Sequence, residues 1–311
     1  IDYALFQKTV DNLKTIEALD NLIVKWPNEK DVAIHVPVNL YYSTCFKTPK
    51  NTGSDKFVYF YDGKALDEKK IILAMRVHMH SKSGEILHLK KSEAMSGKEA
   101  LELGLSILKK LKIRRIFLHD ASYFEFKPGV SFLMRVYVPI ISDDGRSFYG
   151  KREFYPLLCR NLEGARNYDA ETEAERKTPI YNQDPVFHKE AVHFIRNMQV
   201  SVFINEVITD TGEKEAFKKL CLNKTALTLH QLAVALFNEE DRSNFIKFNQ
   251  IALKRPNLEA SKSLNEHRFK VALETLYSTK ILVQGDPLAL AALPDFYEIT
   301  DLPKSSGTTV S

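Results

Sequence analysis

The sequence predicts an α+β fold, a mixed twisted sheet with packing helices, followed by an all-α lobe. Three observations carry that prediction. Between Val32 and Lys91 the apolar residues alternate with period two, as half-buried strands do. From Ser96 to Asp120 a helical period (Leu101, Leu105, Leu108, Leu111) runs into a short continuous apolar run, Ile116-Phe117-Leu118, which reads as a helix feeding a covered strand. Beyond Pro185 only helical spacing remains. A strand, a crossover helix and a second strand in succession favour parallel pairing, so the sheet is expected to be mixed.

In chain order, Asp2 to Val24 places Leu5, Val10, Leu13, Ile16, Leu19 and Ile23 at helical intervals, and Trp26-Pro27-Asn28 stops that helix. Val32 to Tyr42 reads as a strand with Pro37 at an edge or bulge, and Phe57 to Tyr61 as a second strand closed by Asp62-Gly63. Ile71 to Lys91 reads as a hairpin turning through Ser81 to Gly84. If Leu73, Met75, Val77, Met79, Leu87 and Leu89 pack inward, alternation puts Arg76, His78, His80, Ile86, His88 and Lys90 on the opposite face. Ser131 to Ile141 reads as a strand on its β-branched residues and Pro139. The helical lobe is expected in five pieces: 186–208, 213–222, 228–237, 242–253 and 264–282. The resulting domains are an α+β domain over 1–160, a linker over 161–184, a helical lobe over 185–295 and a partly disordered tail over 296–311.

The bulk numbers exclude some function classes. With 311 residues and 44% hydrophobic content the chain can bury a substantial core. Lys plus Arg total 44 against 40 for Asp plus Glu, so the net charge of +4 gives no ground for a nucleic-acid partner. The three cysteines, Cys45, Cys159 and Cys221, show no Cys-x-x-Cys spacing and suit reduced thiols in a cytoplasmic setting. No apolar run reaches the roughly 18 residues that a transmembrane helix needs. Ile1 has no basic and apolar leader behind it, so the chain is expected to be a piece of something longer.

Four places carry candidate chemistry. Ser96-Gly97-Lys98, with Lys90 and Lys91 before it, begins a helix whose free amides and dipole favour an anion such as phosphate. The same residues also read as an ordinary N-cap with solvated lysines, and neither a P-loop nor a Gly-x-Gly-x-x-Gly is present. His119-Asp120-Ala121-Ser122 ends a buried strand, where open sheets place ligands; Asp120 could accept from a ribose hydroxyl and Ser122 donate to a phosphate, or both could simply cap a turn. His78, His80 and His88 on one face resemble a three-histidine zinc arrangement, but Arg76 and Lys90 beside them oppose a dication and suit an anion. Tyr41, Tyr42, Tyr59 and Tyr61 could stack on a purine ring or act as half-buried packing residues. His188 and His193 lack the spacing for one helical face, and the basic run Lys109 to Arg115 reads as a helix C-terminus.

Leu103-Gly104, Leu108-Lys109-Lys110-Leu111, Leu118 to Ser122 and Gly145 to Gly150 give the region 96–155, with the strands before it, a texture that resembles the KLAMP domains of secreted bacterial effectors. That resemblance implies a nucleotide-binding module acting in a host cytosol, with adenine held between tyrosines of the early strands and no established reaction. The expected ligand is an adenine nucleotide (ATP, ADP or cyclic AMP), with Mg²⁺ as an accompanying ion and a host protein as a partner of the helical lobe. Adenine would stack on Tyr59 or Tyr61, ribose would meet Asp120, and phosphate would lie by Ser96, Gly97, Lys98, Lys90 and Ser122, in the first domain or in a cleft between the two. Two alternatives stay open: an acyl-CoA-dependent transferase of the GNAT type, whose Gln/Arg-x-x-Gly-x-Gly/Ala is missing from this chain, and a protein-interaction module with no small-molecule ligand.

Overall fold

A computed structural model describes residues 1–37, 55–80, 82–156, 185–222, 224–258, 261–279 and 281–285. The expected α+β class is observed. Two compact units divide the chain, the first taking residues 1–119 and, from the C-terminal part, 283–285; the second takes the described residues from 120 to 282.

In the first unit the chain runs α1 (Tyr3–Asp11), β1 (Ile23–Lys25), β2 (Asp31–His35), β3 (Asp55–Asp62), β4 (Ile71–His78), β5 (Ser83–Leu89), α2 (Gly97–Lys110) and β6 (Arg115–His119). The sheet order is β1-β2-β3-β4-β5-β6, and the C-terminal strand β10 (Ile281–Gly285) lies beyond β6. Neighbours from β1 to β5 pair antiparallel, whereas β5 and β6 pair parallel across the α2 crossover, as the sequence predicted. The single helix expected over 2–24 is instead α1, a 3-10 turn (Ile16–Leu19) and β1. Asn12 ends α1, and Ile23 to Lys25 exchange helical spacing for pairing with Asp31 to Ala33. Of the expected strand over 32–42, the described part is β2; Tyr41, Tyr42 and Cys45 lie outside the described residues.

Helix α2 buries Ala100, Leu101, Leu103, Gly104, Ile107 and Leu108. It lies against the Leu73 and Met75 face of the sheet, close enough that a Cβ on Gly104 would stand 2.9 Å from Met75 Sδ and 3.1 Å from Leu73 Cδ2. Gly104→Val is therefore expected to force helix and sheet apart and to destabilise by about 1–3 kcal/mol, read as a lower urea midpoint with an unchanged m-value.

The β4-β5 hairpin departs from simple alternation at one place. Its register steps from Ala74 opposite His88 to Met75 opposite Ile86, so Leu87 is an extra residue in a bulge. Ile86 therefore joins Met75 on the helix-facing side instead of the polar side, and Leu87 packs with Phe57, Tyr59 and Tyr61 instead of under α2. His80 lies in the exposed turn after β4.

The boundary expected at 160 falls at His119/Asp120 because the next elements pack into the helical core. These are the hairpin β7 (Tyr123–Lys127) and β8 (Val130–Leu133), and α3 (Met134–Ile141), whose Val136, Tyr137 and Ile140 belong to that core. Ser131 to Ile141 is thus mostly helix, not strand. The α3 end is held from outside: Arg196 donates to the carbonyls of Pro139 and Ser142, and His230 Nδ1 donates to that of Ile140 at 2.7 Å. Those tertiary bonds override the β-propensity of the segment and the missing Pro139 N–H.

After the two-residue β9 (Tyr155–Pro156) come α4 (Pro185–Asn197), α5 (Val200–Val202, continued by a π turn, Phe203–Val207), α6 (Thr211–Cys221), α7 (Leu229–Phe237), α8 (Ser243–Ala252) and α9 (Leu264–Ser278). The last expected helix, 264–282, stops at Ser278 and gives way to β10. The expected linker, 161–184, and tail, 296–311, lie outside the described residues. No helix among the described residues is long and apolar enough to cross a membrane.

Candidate functional site

The two faces of the first unit's sheet differ in chemistry. Leu73, Met75, Val77, Ile86, Ile116 and Leu118 look towards α2, while the register puts a mixed polar and aromatic set on the other face: His35, Asp55, Phe57, Tyr59, Tyr61, Arg76, His78, Ser83, Glu85, His88, Arg115 and His119. A polar face on a sheet interior has to satisfy its charges with one another or with something bound there.

At one end of that face is a buried ion cluster. Arg76 Nε and Nη2 both donate to Asp55 Oδ2, at 2.9 and 2.7 Å, and His78 Nδ1 lies 2.7 Å from Asp55 Oδ1. Asp55 and Arg76 side chains are 1% and 7% exposed, and Arg76 Nη1 reaches Glu85 Oε2 at 3.9 Å. Burial alone would raise the Asp55 pKa, but the bonds and charges of Arg76 and His78 outweigh it, so the carboxylate titrates below its ordinary range. An ionised carboxylate only accepts, so Nδ1 of His78 carries the ring proton and Nε2 is the lone-pair nitrogen. Burial and the neighbouring Arg76 hold His78 below its usual value, hence neutral at pH 7. Burial raises Glu85 to about 7, against the pull of Arg76 and with the push of Asp55.

The tyrosines expected to hold a ring lie two rows along the same face. Tyr59 and Tyr61 have ring centroids 6.0 Å apart with planes 34° from parallel, and both are fully buried. Each also has a further interaction of its own. Lys90, just past β5, is close enough to His88 to lower its proton affinity, in addition to the larger effect of burial.

The other expected residues are placed elsewhere. Ser96 is the N-cap of α2 in a capping box: Ser96 Oγ accepts from Glu99 N at 3.2 Å and Glu99 Oε2 accepts from Ser96 N at 2.8 Å. The negative charge favoured at that helix start is supplied by Glu99 itself. Gly97 begins the helix, and Lys98 is exposed with Glu102 at 4.0 Å. Since α2 covers the Leu73 and Met75 face, Ser96, Gly97 and Lys98 belong to the opposite layer from Tyr59 and Tyr61. Asp120 and Ser122 belong to the second unit. There Asp120 Oδ1 accepts from Ser122 N at 3.1 Å, Ser122 Oγ and Tyr149 Oη are 3.1 Å apart, and Arg135 bridges the carbonyls of Asp120 and Tyr277. Burial raises both the Asp120 and the Tyr149 pKa. Tyr59 and Tyr61 thus share one face of the first unit's sheet, with Lys90 near His88, whereas Ser96, Gly97 and Lys98 belong to the other layer of that unit and Asp120 and Ser122 to the second unit.

His78 and His88 stay on the polar face and His80 leaves it; among the described residues no group of three or more His, Cys, Asp or Glu is arranged to hold a metal. Asp55, Ser83 and Glu85 do not stand out in the sequence. Two more steps of alternation back from Tyr59 reach Asp55, whereas the bulge at Leu87 conceals the side on which Glu85 lies. No protein-family profile matches the chain, and no curated protein or solved structure matches it.

Proposed function

We propose that the first unit is an adenine-nucleotide-binding module, and that the nucleotide lies along the polar face of its sheet rather than at the start of α2. The observation that carries this reading is the paired rings of Tyr59 and Tyr61 on the same face as the cationic and imidazole side chains of Arg115, His88 and His119, with Lys90 beside His88. A ring platform and positive charge on one surface are what a base and its phosphates require. The spacing is compatible: four residues along β3 separate Tyr59 from the row of Asp55, about 13 Å at the usual strand rise, the scale of an extended nucleotide. Mg²⁺ would arrive with the phosphates, since the described residues offer it no cage of their own.

Thermal shift and calorimetry with ATP, ADP, AMP, cyclic AMP, GTP and acetyl-CoA, with and without Mg²⁺, test the reading. An adenine nucleotide at 100 times its dissociation constant is expected to stabilise by about 2.7 kcal/mol. The shift should vanish in Arg115→Gln and survive in Lys98→Ala, each checked for native circular dichroism. Loss in Lys98→Ala with survival in Arg115→Gln would return the phosphate to the helix start. No response to any ligand would overturn nucleotide binding and leave protein recognition by the helical unit as the reading to pursue.

A further inference from the structure

The positive charge of the first unit is concentrated where α2 ends. Lys109, Lys110, Lys112, Arg114 and Arg115 carry more charge than the +4 of the whole chain, so the rest of the protein is slightly acidic. Tertiary contacts enlarge this cluster. Lys110 Nζ donates to the carbonyl of Asp11 at 3.2 Å, which brings the end of α1, with Lys8 and Lys14, beside the end of α2. Arg114 N donates to the carbonyl of Lys82 at 2.8 Å, which adds the turn between β4 and β5. Lys8, Lys14, Lys109, Lys112 and Arg114 are exposed and Lys82 is half-buried. Among the described residues none of these six has an ion-pair partner, and the acids Asp11 and Glu17 are already matched, by Lys110 at 3.9 Å and Lys56 at 3.4 Å. Helix C-termini favour cations, but both ends are capped without the six side chains. Leu111, Lys112 and Ile113 donate their backbone N–H to the last carbonyls of α2, while Asn12 and Lys110 serve those of α1. Like charges gathered at one end of a unit repel one another, a cost that a polyanion removes.

We propose that this basic rim docks the first unit on an anionic lipid bilayer, its cations meeting the phosphate and carboxylate groups of acidic headgroups. Charge complementarity selects a polyanion, and the side chains select which one. Five of the six unpaired cations are lysines, compact point charges that respond to charge density, whereas shaped recognition of a phosphate relies on the arginine fork. They are carried on three separate tips, the ends of α1 and α2 and the β4-β5 turn. None of residues 8–15, 82–84 and 109–115 is aromatic, so the rim offers the bases of a nucleic acid no ring to stack on. A charged bilayer asks only for clustered cations near its surface, each adding its own share of attraction. None of the six belongs to the polar face of the sheet, so docking stands or falls independently of nucleotide binding.

The test is co-sedimentation of the full chain, without nucleotide, with vesicles of phosphatidylserine in phosphatidylcholine and with vesicles of phosphatidylcholine alone. Binding is expected to the mixed vesicles only, and should be lost as salt rises from about 0.1 M to about 1 M. The triple variant Lys109→Gln, Lys112→Gln, Arg114→Gln should bind about 100-fold more weakly. The triple variant Lys64→Gln, Lys69→Gln, Lys70→Gln loses the same charge from the β3-β4 connection, at the other end of those strands, and should bind as the wild type does. Native circular dichroism and an unchanged urea midpoint in both variants separate docking from misfolding. Equal binding by the two triple variants, or no sedimentation of the folded wild type with the mixed vesicles, would overturn the proposal. So would displacement from the vesicles by duplex DNA at matched phosphate concentration, which would make the rim a nucleic-acid interface.

Discussion

Arg76→Met is expected to destabilise the protein by about 3–5 kcal/mol at pH 7, the largest effect of any single substitution in the polar cluster. The cause is the group left behind. Asp55 has both carboxylate oxygens engaged, Oδ2 by Arg76 and Oδ1 by His78, and its side chain is 1% exposed. Without the guanidinium the carboxylate keeps its desolvation cost and loses its main counter-charge, while Glu85 loses the cation 3.9 Å away. The double variant Asp55→Leu with Arg76→Met removes both members of the pair, so its cost should fall well below the sum of the single losses. Urea unfolding of the two single variants and the double, with m-values held constant, measures that coupling. A loss under about 1 kcal/mol in Arg76→Met would mean that Asp55 is not a buried charge.

The elements legible in the sequence are those whose signal is local. Ser96, Glu99 and the leucines of α2 announce both the capping box and the crossover helix, and the parallel pairing of β5 with β6 follows from them. What the sequence conceals depends on partners remote along the chain. Ser131 to Ile141 has β-branched residues and a proline, yet Arg196 and His230 take up the carbonyls of its C-terminal end and Val136, Tyr137 and Ile140 find a helical core. Likewise, the neighbours of Asp120, Arg135 on its carbonyl and Tyr149 close by, come from residues that the strand-end motif does not announce. The polar face itself is half visible. Alternation groups Arg76, His78 and His88 correctly, but a bulge carries no composition signature, so alternation assigns Ile86 and Leu87 to the wrong sides and misses Glu85 as the acid facing Arg76.

Glu85→Gln should stabilise the protein above neutral pH and leave it nearly unchanged in acid. Folding raises the Glu85 pKa from 4.5 to about 7, so the native state holds this proton more tightly than the unfolded chain does. The stability contribution is therefore complete below pH 4.5, shrinks as pH rises towards 7 and is absent above it. A shift of that size corresponds to about 3 kcal/mol, which Gln recovers because it has no charge to desolvate. Two neighbours act with the opposite sign. Asp55 titrates below its ordinary range, so its contribution is lost as pH falls through its folded value; His78, held below 6.5, likewise loses stability on acidification. Wild-type stability should thus rise from strong acid, pass through a maximum on the acid side of neutrality and decline towards pH 8, whereas Glu85→Gln should rise to a plateau without the decline. Urea midpoints at half-unit pH steps separate the two curves. Parallel profiles for the two proteins would show that Glu85 is ionised throughout and that Arg76 is shared between two carboxylates rather than committed to Asp55.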